Sequence, residues 1–168
     1  MFQGTVSTEL PKRDFYDELA AQAHALLAGE TNLVANAANL SALLYHTMPD
    51  LNWAGFYFLV DGELVVGPFQ GKPACVRIAM GRGVCGLAAQ TRRSQLVPDV
   101  HAFADHIACD AASRSELVVP LLMPDGTLLG VLDLDSPLPA RFTEEDCDGV
   151  EAIASVFIAT LASSDTVS

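Results

Sequence analysis

Four cysteines, Cys75, Cys85, Cys109 and Cys147, are the strongest chemical candidates in this sequence. No two form a CxxC pair, so neither a zinc knuckle nor a thioredoxin-type motif is present. Two of them fall in a basic stretch. Between Leu64 and Pro98 there is no Asp or Glu, yet Lys72, Arg77, Arg82, Arg92 and Arg93 all lie there. A nearby cation or a helix N-terminus lowers a thiol pKa and favours the reactive thiolate. Gly83-Val84-Cys85-Gly86 places Cys85 at such a helix start, which makes it an expected activated thiol.

Cys109 sits in His106-Ile107-Ala108-Cys109-Asp110, where several chemistries compete. His101, His106 and Cys109 offer metal-ligand types, but their spacing matches no standard zinc pattern and lacks a clear fourth ligand. A Cys–His nucleophile is a second reading. A third is redox use, with Cys109 pairing with Cys75 or Cys85. The bland alternative is a small buried hydrophobe, the fate of most free cysteines, and it suits Cys147 between Asp146 and Asp148. Carboxylates are the other informative group. Glu116 opens the segment Leu117–Pro120. In Gly130-Val131-Leu132-Asp133-Leu134-Asp135, period two puts Val131, Asp133 and Asp135 on one strand face. Two carboxylates there suit an ammonium or a proton transfer; otherwise they mark a solvent-facing edge.

These residues need elements to position them. A helix is expected from Pro11 to Ala28 through Phe15, Leu19, Ala23 and Leu26, with Gly29 as its stop. Leu33, Ala37, Leu40 and Leu44 mark a second, ending near Pro49. Asn52–Val60 and Leu64–Val66 read as a hairpin about Asp61-Gly62. A short strand follows at Cys75–Ile78, then a helix at Gly83–Gln90 and a strand at Gln95–Val97. Pro98–Ala112 reads as loop. Ser115–Met123 and Thr127–Asp135 form a second hairpin around Pro124-Asp125-Gly126. Thr143 caps a final helix whose first turn carries Glu144, Glu145 and Asp146, with Val150, Ile153, Phe157 and Leu161 as its buried stripe. The expected class is α+β: a central antiparallel sheet, terminal helices packed on one face, long loops closing a pocket on the other. Residues 11–162 form the domain, with flexible ends at 1–10 and 163–168.

Composition narrows the function. The chain has 168 residues, 9 Lys plus Arg against 21 Asp plus Glu, and a net charge of -12. That balance argues against sequence-independent nucleic-acid binding and against docking on anionic membranes. The mean hydropathy is +0.31, but the longest uncharged candidate, Thr31–Pro49, is broken by Asn32, Asn36, Asn39 and Ser41 and falls short of a span. Met1–Leu10 lacks the basic and apolar regions of a signal peptide. A cytoplasmic protein with reduced thiols is the expectation.

With these residues in place, the sequence resembles the free methionine-(R)-sulfoxide reductases, single GAF-type domains. The resemblance runs from about Phe15 to Leu161. It is carried by Ala28–Thr31, Asn52–Tyr57, Gly67–Lys72, Gly81–Gly86, Asp99–Phe103, His106–Ser113 and Gly130–Ser136. The most specific are GPFQGK (67–72), HIACDAAS (106–113) and the three-cysteine set. The resemblance implies a GAF-like fold and reduction of free methionine (R)-sulfoxide, with thioredoxin as recycling partner and neither metal nor organic cofactor. It implies Cys109 as nucleophile, Cys75 as resolving thiol and Cys85 as a secondary or alternative one. Trp53 would pack the substrate's methyl end, and Glu116, Asp133 and Asp135 would hold its ammonium and assist protonation. Backbone N–H groups near a helix start would hold its carboxylate. Two chains pairing through terminal helices is the implied assembly. The rival readings are a non-catalytic GAF-type module that binds a small ligand, and a thiol hydrolase or transferase using Cys109 and His106.

Overall fold

The helices form where apolar side chains recur every third or fourth residue. A computed structural model describes residues 4–107 and 109–162. α1 (Lys12–Leu27) buries Phe15, Leu19, Ala23 and Leu27 along one stripe. α2 (Leu33–Thr47) begins at Asn32, whose Oδ1 accepts the Ala35 N–H at 2.9 Å, and buries Ala37, Leu40 and Leu44. α4 (Glu144–Ala162) buries Val150, Ile153 and Phe157. Ahead of it, Thr143 stands at the cap: its carbonyl accepts from Cys147 N–H, and its own N–H donates to Asp146 Oδ2 at 2.7 Å. That reach back from the third helical residue is one half of a capping box.

Six strands make one antiparallel sheet: β1 (Trp53–Val60), β2 (Glu63–Gly71), β3 (Arg77–Ala79), β4 (Gln95–Val97), β5 (Ser115–Leu122) and β6 (Leu128–Ser136), in the spatial order β3-β2-β1-β6-β5-β4. Asp61 and Gly62 both take positive φ, 50° and 85°, the backbone a two-residue hairpin with right-handed strand twist requires. β1 and β2 slip register between Gly55 and Tyr57, because Gly67 and Pro68 together lie opposite Phe56. Pro68 lacks an N–H and is tolerated at such a bulge.

The strand period divides the sheet into two faces. Ala54, Phe56, Leu117, Val119, Leu121, Leu132 and Leu134 meet α1, α2 and α4 in the main core. The opposite face carries Trp53, Tyr57, Val118 and Val131 against α3 (Gly83–Thr91), through Val84, Cys85, Ala88 and Ala89. The terminal helices thus lie on one face as expected, while the short α3 and the long connections cover the other.

Several local expectations are corrected. β3 begins at Arg77 rather than Cys75, because Cys75 is committed elsewhere: it is disulfide-bonded to Cys109 and its carbonyl accepts the Tyr57 hydroxyl. β2 extends to Gly71, beyond the expected Val66. The Pro98–Ala112 loop contains a 3-10 turn, Val100–Ala102, started by Asp99 Oδ1 accepting from His101 N–H. The basic stretch is no single patch. Arg77 pairs with Glu63 at 2.7 Å, Arg82 with Asp105 at 2.7 Å, and Arg92 donates to the Gly126 carbonyl. At the N-terminus, Val6 and Leu10 pack against the core. Residues 1–3 and the expected flexible tail at 163–168 lie outside the described residues. Among the described residues no helix is long and apolar enough to cross a membrane.

Candidate active site

Strand register assembles the site. On the face opposite the main core, Trp53 of β1 pairs with Asp135 of β6, and Asp135 pairs with Glu116 of β5. One step along, Gly55 pairs with Asp133, and Asp133 with Val118. Three carboxyls therefore converge from two adjacent strands. They line a cavity of about 40 Å³ together with Trp53, Tyr57, Cys85, His106 and Cys109. Glu116 and Asp133 are each 6% exposed and Asp135 is half-buried, so the solvent-facing alternative for this strand face is excluded.

Burial dominates the electrostatics. Desolvation disfavours the charged form of a carboxyl, and like charges nearby add to the effect. Burial, then the neighbouring Asp133 and Asp135, raise Glu116 well above the usual carboxylate range. Burial, followed by Asp133 and Asp110, does the same to Asp135. Asp133 is pushed up by burial to about 6, with hydrogen bonds from Glu116 and Cys85 working the other way. Asp133 Oδ1 is buried without a hydrogen-bond partner among the described residues. Burial thus raises all three carboxyls, and among the described residues none of them has a Lys or Arg ion pair.

Cys85 overturns one expectation. It does sit in the first turn of α3, but it is 4% exposed and its thiol stands 3.8 Å from Glu116 Oε1. Burial, reinforced by Asp133 and Glu116, drives its pKa well above that of an ordinary thiol. The helix terminus and the basic sequence neighbours are outweighed by three acids that arrive from the sheet. The α3 start is also partly occupied, since Gly83 N–H donates to Asp105 Oδ2 at 3.2 Å.

Cys109 instead forms a disulfide with Cys75, with Cα atoms 5.6 Å apart. This removes Cys109 from the His101–His106 metal alternative. The two imidazoles lie edge to face, 6.4 Å between centroids, and burial followed by the charge of His101 lowers the His106 pKa. The chain on either side of Cys109 is anchored to the sheet and to α3. Asp105 holds both Arg82 and Gly83, while Asn52 Nδ2 donates to Asp110 Oδ2 at 3.2 Å and to Ser113 Oγ at 3.0 Å.

The aromatic wall is fixed on both sides. Trp53 is 3% exposed, donates its indole N–H to the Lys72 carbonyl, and stacks on Phe69 at 5.0 Å and on Tyr57 at 5.8 Å. The Tyr57 hydroxyl donates to the Cys75 carbonyl at 3.0 Å, and burial followed by the charge of Asp133 keeps it protonated. Tyr57, Asn52, Asp105 and Asp110 carry no role in the sequence reading. For Tyr57 the signal was present: it lies two pairs of residues along from Trp53 on one strand face. The remaining free thiol, Cys147, is buried beside Glu151, where burial and that carboxylate raise its pKa to about 11. It keeps its structural reading.

A six-stranded antiparallel sheet with helices at both chain ends and a loop-covered cavity on the opposite face defines a GAF domain, and the GAF domain family matches residues 15–161. Among relatives, the chain is 52% identical to the free methionine-R-sulfoxide reductase of Escherichia coli, over 92% of this chain and 93% of that one. It is 42% identical to the Saccharomyces cerevisiae enzyme of the same name, over 88% and 86%. The structure of free methionine-R-sulfoxide reductase from Neisseria meningitidis in complex with its substrate superposes with a TM-score of 0.91 at 40% identity, covering 98% of each chain. The protein belongs to this family of GAF-fold reductases and is an oxidoreductase.

Proposed function

We propose that the protein reduces free methionine (R)-sulfoxide by thiol chemistry at Cys109, with Cys75 as resolving thiol and thioredoxin as electron donor. The observation that carries this reading is the Cys75–Cys109 bridge at the wall of a cavity lined by Glu116, Asp133 and Asp135. In the reduced enzyme the Cys109 thiolate attacks the sulfoxide sulfur while a carboxyl of the cluster protonates the oxygen. The oxygen passes to Cys109 as a sulfenic acid and methionine leaves as the thioether. The Cys75 thiol then attacks the sulfenic sulfur, expels water and closes the disulfide. A dithiol donor returns two electrons and two protons by thiol exchange.

Substrate selection follows from the same residues. The α-ammonium neutralises the buried carboxyl cluster and a peptide bond would abolish it, which favours the free amino acid. Trp53 and Tyr57 supply the apolar wall for the methyl end. Cys85, hydrogen-bonded to Glu116, is placed to adjust the acid cluster; as an attacking thiol it is disfavoured because burial raises its pKa.

NADPH consumption with thioredoxin and thioredoxin reductase tests the reading. Turnover is expected on free (R)-sulfoxide, with little on the (S) form or on peptide-bound sulfoxide, and none in Cys109→Ser. Equal turnover of both epimers, or undiminished activity in Cys109→Ser, would overturn it.

A further inference from the structure

The acid cluster contains more than an ammonium needs. Cys85 Sγ, Glu116 and Asp133 each offer one ligand atom, all within 4.8 Å of one another, and all three residues are buried. Cys85 Sγ and Glu116 Oε1 stand 3.8 Å apart. Around a tetrahedral zinc, sulfur lies at about 2.3 Å and carboxylate oxygen at about 2.0–2.2 Å, so ligand atoms are roughly 3.5 Å from one another. The present separations, at most 4.8 Å, would have to close to about 3.5 Å to reach that spacing. Asp133 Oδ1 is an open acceptor in this cluster: it is buried in a residue 6% exposed and has no hydrogen-bond partner among the described residues, although the same carboxyl also meets Glu116 and Cys85.

We propose that Cys85, Glu116 and Asp133 form a binding site for a thiophilic divalent cation, zinc being the natural case, and that the bound ion blocks the reductase. One soft sulfur and two carboxylates favour zinc over magnesium or calcium, which take oxygen donors alone. Cys85, Glu116 and Asp133 all line the cavity that Asp135 also lines. Binding displaces the Cys85 thiol proton and any proton held by the two carboxyls, so affinity rises with pH. The cavity of the disulfide form, about 40 Å³, has room for about three waters and therefore for an ion. Exclusion of substrate rests on the reading that the same carboxyls hold its ammonium; the metal site itself does not.

Cobalt(II) titration of the oxidised protein is the test, because the Cys75–Cys109 disulfide removes both reactive thiols and leaves Cys85 and Cys147 free. A sulfur-to-cobalt absorption band in the near ultraviolet is expected, abolished in Cys85→Ser and retained in Cys147→Ala. Zinc should displace the cobalt. Glu116→Gln and Asp133→Asn should each weaken binding by at least roughly tenfold, the lower end of what loss of even an outer partner costs a metal site. No band, a band surviving in Cys85→Ser, or a band lost in Cys147→Ala would overturn the site. Added L-methionine should compete with cobalt. If the band obeys every variant but methionine leaves it unchanged, the metal site stands and the ammonium-binding reading fails.

Discussion

Asp133 and Asp135 show how far one residue type depends on its surroundings. Their shared strand face is legible from period two alone, but their burial is not, because it is created by α3 and by the chain around Cys109, both remote in sequence. The same remoteness misplaces Cys85: its sequence neighbours are basic, while its spatial neighbours are Glu116 and Asp133. Since burial raises all three carboxyls, the cluster loses protons only as pH rises, with Asp133 titrating near 6. If the ionised cluster holds the substrate's ammonium as proposed, KM for free sulfoxide should fall as pH rises through about 6. Asp133→Asn should raise KM by roughly ten- to hundredfold, the loss of one charge-assisted hydrogen bond, and flatten that pH dependence. Steady-state kinetics between pH 5 and 8 decide the matter; a wild-type KM indifferent to pH would refute the electrostatic account.

At the scale of elements, the strands and helices were legible and the segment that carries Cys109 was not. Apolar spacing places α1, α2 and α4, and the Asp61-Gly62 and Asp125-Gly126 turns place both hairpins, because these signals are local. The segment 98–112 has no period to read; its path is set by side chains that reach across the fold. Asp105 ties it to the start of α3, and Asn52, at the entry to β1, ties Asp110 and Ser113. Asn52 also donates its backbone N–H to the Asp135 carbonyl at 3.0 Å, so one residue joins the thiol segment to the acid-bearing strand. Asn52→Ala removes both side-chain bonds, an anchoring loss of about 2 kcal/mol. The expected result is slower closure of the Cys75–Cys109 disulfide after one equivalent of sulfoxide, with KM changed little. The chain has one tryptophan, Trp53, within the cavity wall, so stopped-flow fluorescence reads this step directly. Unchanged closure kinetics would show that the anchor does not position Cys109.

For the whole molecule, two buried acidic centres pull stability in opposite directions with pH. Asp146, 1% exposed, joins the chain ends: it accepts from Lys12 Nζ at 2.6 Å, Tyr16 hydroxyl at 2.6 Å, Arg141 Nη1 and Thr143 N–H. Burial alone would raise its pKa, but the bonds from Lys12 and Tyr16 prevail and lower it. Its contribution is therefore present above the unfolded carboxyl pKa and is lost as pH falls through the folded value. Asp146→Ala leaves those donors facing an empty site and should cost about 3 kcal/mol in urea unfolding. The site carboxyls behave oppositely. Their folded pKa values are raised, so their contribution is complete below about pH 4 and declines as pH rises through the folded values, past 6 for Asp133. Stability should peak on the acid side of neutrality, between the two effects. Asp133→Asn should then match or exceed the wild-type Tm at pH 8, with the advantage shrinking toward pH 5, even as it impairs binding. Such a gain is the signature of a site held in an unfavourable charge state for its function. On the proposed binding mode, saturating L-methionine should raise the wild-type Tm more at pH 8 than at pH 5 and raise that of Asp133→Asn less. A variant Tm below wild type across the whole range would mean that Asp133 is a structural residue and that its burial carries no functional strain.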